Sequence, residues 1–246
     1  MASSKPVKIK PIVMPDELPS TVDWRDMIKL RVQNQGKCTA LRECFATLWV
    51  DVAKLAVWQI KNMDKPFKRL SSQMLLDCVA PDTKDQDRNR CYSLSAVKAF
   101  EWLMKNEVYG ETGYPYKGKR GTCQLSSDFG SRCEQINGAL REKIIRQVHQ
   151  HPVAAVVDVY SEFILLKEGI YEGPKEYQDD IPTHVVVIVG YGTQGIGPNA
   201  KNYWIVISTW GRGWGVKGFG KVVGDAKQFA HVLAFAEFLT LHLLVQ

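Results

Sequence analysis

A thiol, an imidazole and a hydroxyl sit in three separate short segments of this 246-residue chain. The first segment, Gln33-Asn34-Gln35-Gly36-Lys37-Cys38, is followed by Cys44 at the mouth of an apolar helix. The second opens on Thr183-His184 and runs through Val185 to Gly192. The third, Tyr203 to Gly215, carries Ser208 and Trp210 ahead of a glycine-rich corner. A cysteine attacks a carbonyl as thiolate, so it needs surroundings that favour the anion, such as a helix N-terminus or a nearby imidazolium. The histidine in turn needs a third group to fix its ring, and a tetrahedral intermediate needs donors aimed at its oxyanion. A cysteine at a helix start, a histidine opening a strand and a polar residue on the next strand meet the first requirements. Each also has a plain structural alternative: Cys44 as a small core residue, His184 as a satisfied core histidine, the Trp-Gly run as a packing corner.

The elements that must position these groups are readable from periodicity. From Cys44 to Lys61, Phe45, Leu48, Trp49, Val52, Leu55 and Ala56 recur on one helical face. Val50, Val57, Trp58 and Ile60 make the other face apolar as well, which predicts a helix buried nearly all round. Ser71 is the expected N-cap of a short helix through Leu76. Further helices are expected over about Ser93 to Lys105 and from Gly138 to about Gln150. Beyond that point the period changes. Val153 to Val159, His184 to Val189, Tyr203 to Ile207 and Phe219 to Val223 are short β-branched and aromatic runs divided by Gly and Pro, and read as strands. A helical first half and a strand-rich second half predict an α+β protein of two lobes.

Composition excludes several classes. At 45% hydrophobic and 24% charged the chain is too apolar for disorder, and it has no repeat. The net charge of +6 is spread among acidic residues without a dense basic face, so nucleic acid is not an expected partner. The most apolar stretch, Phe229 to Val245, is interrupted by His231, Glu237 and His242. It falls short of the ~20 residues a bilayer requires and reads as a strand and turn. Met1 to Pro19 has charge and proline but no apolar run of the secretory kind, so the chain is expected to be intracellular or a fragment. Six cysteines, at 38, 44, 78, 91, 123 and 133, lack zinc-type pairing and fit disulfides of an oxidising compartment, in conflict with that expectation. His149 and His151 with a nearby cysteine are a weaker candidate metal site; histidines so placed at a helix end usually face solvent.

Eight segments in order, LPSTVDWR, VQNQGKC, RLSSQMLLDC, GYPYKG, HPVAAVVDV, GIYEGP, THVVVIVGYG and YWIVISTWGRGWG, resemble the mature domain of the papain-like cysteine peptidases from about Leu18 to Val223. The resemblance implies a papain-like two-lobe α+β fold. A helical left lobe (about 26–138) would hold the buried central helix, and an antiparallel β-barrel-like right lobe (about 139–224 plus 18–25) would face it across a cleft. Residues 1–17 would be a leader and 225–246 a divergent tail. Carried over position by position, Gln35 matches the oxyanion glutamine, His184 the catalytic histidine, and Trp210 the tryptophan that shields it. Cys38 should pair with Cys91 and Cys78 with Cys123, leaving Cys44 and Cys133 single.

Three positions depart from the family pattern. Where the family has two residues between its cysteines, this chain has Thr39-Ala40-Leu41-Arg42-Glu43. The nucleophile position therefore falls on Leu41 without gaps, on Arg42 if Phe45 is aligned with the family's phenylalanine, and on Cys44 only with a three-residue insertion. Three residues are nearly one helical turn of ~3.6, so a bulged loop would bring Cys44 into place, whereas a helix extended backwards would turn its sulfur into core. The orienting asparagine is replaced by Ser208, whose shorter arm is expected to reach the imidazole through water. The family's Cys-Asn-Gly-Gly wall reads Cys91-Tyr92-Ser93-Leu94, which puts side chains where a bound peptide needs bare backbone. The expected function is thiol-dependent hydrolysis of peptide bonds by Cys44, His184, Gln35 and Ser208, with no metal or organic cofactor. The alternative is an inactive pseudopeptidase that binds protein. In both cases a polypeptide lies in the cleft of a monomer, and family habit points to vacuole, lysosome or extracellular space.

Overall fold

Runs of valine and isoleucine without interruption pack well only where both sides of a strand are covered. The computed structural model bears this out in the strand Thr183–Gln194, whose residues 184–192 are all buried. The structure describes residues 17–26, 30, 32–35, 71–79, 98–99, 102, 106, 109–117, 119–124, 141–178, 180–224 and 229–233. Within these, β1 is Val22–Asp23, β2 Val153–Asp158, β3 Ile170–Tyr171, β4 Thr183–Gln194, β5 Lys201–Ile207, β6 Phe219–Val223 and β7 Phe229–Leu233. They form one sheet in the order β3-β6-β5-β4-β2-β7, with β1 paired to β4 off that path. Every pairing is antiparallel except β3 with β6. The right lobe is therefore antiparallel with one parallel edge, supplied by a two-residue strand.

β4 is longer than the expected His184 to Val189. The expected run stops where Gly190-Tyr191-Gly192 begins, yet the strand continues through it. A Cβ on Gly190 would lie 2.3 Å from the carbonyl oxygen of Val22, so the bare backbone here lets β1 lie directly against β4. Trp24, in the single 3-10 turn after β1, donates its indole N–H to the carbonyl of Val148 at 2.6 Å. This fastens the 17–26 segment to helix α2 (Arg141–Gln150), and the core beneath is Ile144, Val148, Val153 to Ala155, Val185 to Val189 and Trp204 to Ile207. The sheet does not end at Gly224, because β7 pairs with β2 from Ala154 to Val157.

Helix α1 (Ser72–Cys78) begins where the sequence places it. Ser71 accepts from the Met74 N–H at 3.2 Å through its Oγ, which also donates to the Tyr114 carbonyl at 2.5 Å. The expected Cys78–Cys123 disulfide is present and ties the end of α1 to the segment 109–124. The expected central helix 44–61, the Cys38–Cys91 pair, Cys133 and Cys91-Tyr92-Ser93-Leu94 lie outside the described residues. Among the described residues no helix is long and apolar enough to cross a membrane.

Candidate active site

The site is built at the end of β4 and β5 nearest the chain's early segment. His184 is the second residue of β4 and pairs across to Val157 on β2. Ser208 follows directly on β5, its N–H donating to the Gly218 carbonyl at 3.2 Å. Adjacent antiparallel strands thus bring two residues 24 positions apart into contact. His184 Nε2 lies 3.0 Å from Ser208 Oγ, and both residues are buried. The expected water-bridged contact is replaced by a direct hydrogen bond. A carboxamide oxygen at this place only accepts from Nε2–H, whereas a hydroxyl both donates and accepts. Ser208 therefore orients the ring while being compatible with either imidazole tautomer.

Trp210 covers the ring. Its indole stacks on His184 with centroids 4.3 Å apart and planes within 18°. That indole is held from behind by an aromatic cluster: Phe163 edge-on at 5.7 Å and Trp214 edge-on at 5.8 Å. Trp214 in turn donates its indole N–H to the carbonyl of Phe163, from the short helix α3 (Ser161–Ile164), at 2.9 Å. Such pairs contribute roughly 0.5–1.5 kcal/mol each beyond burial, and their geometry fixes the plane of the imidazole. The Trp-Gly run is a packing corner as well as a lid on the histidine.

Gln35 arrives by a separate route. The stretch 33–35 docks against the chain just after β5: Gln35 N–H donates to the Thr209 carbonyl at 2.9 Å, and Gly211 N–H to the Gln33 carbonyl at 2.9 Å. Between them Asn34 and Trp210 form an isolated antiparallel bridge. Gly211 turns here with φ +77°, a conformation that L side chains rarely adopt, and a Cβ on it would press on Asn34. The Gln35 side chain is held too, since Thr209 Oγ1 donates to Gln35 Oε1. Three consecutive residues, Ser208, Thr209 and Trp210, thus carry the contacts to both Gln35 and His184.

His184, Ser208 and Gln35 are accordingly gathered at one end of the sheet, while Cys44, Leu41 and Arg42 lie outside the described residues. Thr209 was not singled out by sequence; its only signal was a hydroxyl beside Ser208. For the weaker metal candidate, the cysteines other than Cys78 and Cys123 lie outside the described residues. His151 Nδ1 donates to the Pro152 carbonyl at 2.8 Å, and among the described residues no three His, Cys, Asp or Glu side chains converge as a metal site.

The model of the papain family cysteine protease matches residues 18–236, past Gly224 and through β7. Cathepsin R of Mus musculus is 32% identical over 234 residues, covering 91% of this chain and 66% of the relative. The chain spans just under two thirds of the length of the first curated relatives it matches. Among solved structures, the bromelain protease from Ananas comosus in complex with the E64 inhibitor has a TM-score of 0.65 at 26% identity, covering 89% of this chain and all of that one. Digestive procathepsin L 3 of the Tenebrio molitor larval midgut has a TM-score of 0.70 at 22% identity, covering 94% of this chain and 74% of that one, and shares the fold.

Proposed function

We propose that this chain, which belongs to the papain family of cysteine proteases, hydrolyses peptide bonds with Cys44 as nucleophile. The observation that carries the reading is the joined set His184–Ser208, Trp210 over the ring, and Gln35 tied to Thr209. A scaffold that needed only a packed sheet end would not require an imidazole stacked on an indole and hydrogen-bonded to a hydroxyl, with a carboxamide anchored on the next residue of the chain. In the reaction the Cys44 sulfur attacks the scissile carbonyl while His184 receives the thiol proton through Nδ1, its Nε2 being engaged by Ser208. Gln35 donates to the oxyanion through its NH2 group, and His184 returns the proton to the leaving amine. Water then cleaves the acyl-enzyme with His184 as base. The chain works as a monomer on a polypeptide extended between a left lobe at about 26–138 and a right lobe at about 139–224 plus 18–25.

The test is direct. Iodoacetamide at about pH 6 labels a thiolate held by an imidazolium and spares an ordinary buried thiol. Rapid labelling at Cys44, with cleavage of a fluorogenic peptide that Cys44→Ala abolishes, supports the proposal; absence of both removes it.

One observation favours a second reading. His184 is only 1% exposed. A pseudopeptidase that holds a polypeptide without cutting it needs no proton transfer at a buried imidazole. Binding of an unlabelled peptide by calorimetry, without cleavage and without Cys44 labelling, would select that reading.

A further inference from the structure

We propose that Tyr177 is an acceptor for tyrosine O-sulfation. The proposal is independent of the peptidase reading, because it concerns a surface segment and the reaction of another enzyme. Its first support is charge. Glu172 and Glu176 precede the tyrosine, Asp179 and Asp180 follow it, and Lys175 is the one cation between Glu172 and Pro182. A sulfotransferase has to hold an anionic donor in a cationic groove, and an acidic segment is drawn to such a groove while a basic one is repelled. Glu176 and the two aspartates place that charge immediately on both sides of the phenol.

The second support is presentation. Tyr177 is 74% exposed, more than any other tyrosine among the described residues. Tyr109 follows at 49% but stands between Val108 and Gly110, and Tyr114, Tyr160, Tyr171 and Tyr191 are buried. Tyr203 is half-buried with the Lys221 ammonium 4.5 Å from its ring centroid, the wrong charge for such a groove. The segment itself lies between the end of β3 at Tyr171 and the start of β4 at Thr183, and its described residues belong to no helix or strand. Pro174 and Pro182 have no N–H to offer a sheet ladder. Few bonds tie the segment down: Glu162 Oε1 accepts from the Lys175 N–H at 3.1 Å, and the Tyr160 hydroxyl donates to the Gln178 carbonyl at 3.4 Å. The Tyr177 ring rests edge-on against Tyr160 with centroids 6.1 Å apart. A surface loop so lightly held can be drawn out to fit a transferase groove at small cost.

The third support selects sulfate over phosphate, since both esters are placed on tyrosines flanked by acids. The Cys78–Cys123 disulfide is a feature of oxidising compartments, the secretory route among them, where tyrosine sulfation takes place. In the transfer the phenol oxygen attacks the sulfur of a phosphoadenylyl sulfate donor. The new bond is oxygen to sulfur, and the sulfur–oxygen bond to the donor's phosphate breaks. Adenosine bisphosphate leaves, and the phenolic proton passes to a base of the transferase.

The test uses the full folded chain, a tyrosylprotein sulfotransferase and phosphoadenylyl sulfate, read by intact mass. The parent should gain the mass of one SO3 group, which peptide mapping places on Tyr177 and which a tyrosine phosphatase leaves in place. Tyr177→Phe should take up none, while Tyr109→Phe should take it up as the parent does. Asp179→Asn combined with Asp180→Asn should slow the transfer at least about fivefold, because the groove loses two attracting charges. These positions lie in an exposed loop, and matched thermal unfolding of the variants separates loss of the acceptor from loss of the fold. The proposal is overturned if the parent gains no SO3, or if Tyr177→Phe gains it equally. Transfer to an isolated 172–182 peptide but not to the folded chain also overturns it, because the fold then withholds the phenol. Modification of Tyr177 only by a tyrosine kinase with ATP, at a site that a tyrosine phosphatase clears, does so as well.

Discussion

Two buried polar clusters, one within residues 73–121 and one within 184–210, are satisfied differently. Around helix α1, the Asp77 carboxylate accepts from Gln73 Nε2 at 2.8 Å, from the Tyr114 hydroxyl at 2.8 Å and from the Gly121 N–H at 2.5 Å. Gln73 extends the knot, accepting from the Lys117 N–H at 2.7 Å and donating to the Lys119 carbonyl at 2.7 Å. At the end of β4, the His184 ring is instead held by one edge on Ser208 and one face on Trp210. A carboxylate held by three donors, one of them main chain, fixes the course of a loop. An imidazole fixed in plane and at Nε2 is oriented as an acid–base group rather than as a loop anchor. Burial alone does not separate a structural polar group from a functional one; the manner of saturation does.

The comparison is broken most easily at Asp77. Asp77→Ala leaves the Gly121 N–H and the Tyr114 hydroxyl without their acceptor beneath the 109–124 segment. It should lower unfolding free energy by about 2–4 kcal/mol in urea titration. The rate of Cys44 alkylation per folded molecule should stay within about twofold. A large loss of alkylation in protein that remains folded would mean the two clusters are not separable as argued. Ser208→Ala should do the reverse. Losing the hydroxyl at 3.0 Å from Nε2 should cost about tenfold or more in kcat/KM, while stability changes by about 1 kcal/mol. Equal and small effects on both would reduce Ser208 to packing.

Much of this was legible from sequence because it rests on local rules. Ser71 caps its helix, and the four expected strands begin within two residues of where their apolar runs begin. His184, Ser208 and Gln35 were found through ordered motifs, and the strand pairing then brought the first two together. What was not legible depends on contacts between distant segments. Gly190 bounds the expected strand until β1 is seen to occupy the place of its missing side chain. The reach of Ser208 follows from how close β4 and β5 run, which no arm-length argument supplies. Thr209 and Asp77 carry no periodic signal: each matters because a segment far along the chain, 33–35 in one case and 114–121 in the other, comes to rest on it.

The smallest expected effect is also the one that best tests the knot as a charge-holding device. Burial, and then the hydrogen bond to Asp77, push the Tyr114 phenol up to about 12 from its ordinary value near 10. Tyrosine is neutral when protonated, so below pH 10 folded and unfolded chains hold this proton alike. Between about pH 10 and 12 the unfolded chain releases it and the folded chain does not, so the unfolded state gains and stability falls as pH rises. Tyr114→Phe removes that term, together with one of the three donors to Asp77. At neutral pH it should cost only about 1 kcal/mol, because two donors to the carboxylate remain. Above pH 10 the parent should lose stability faster than Tyr114→Phe, and the two unfolding curves should converge. Urea titrations at pH 8 and pH 11 check this. Parallel loss in both proteins would assign the alkaline sensitivity elsewhere, and would leave the Asp77 carboxylate held chiefly by Gln73 and Gly121.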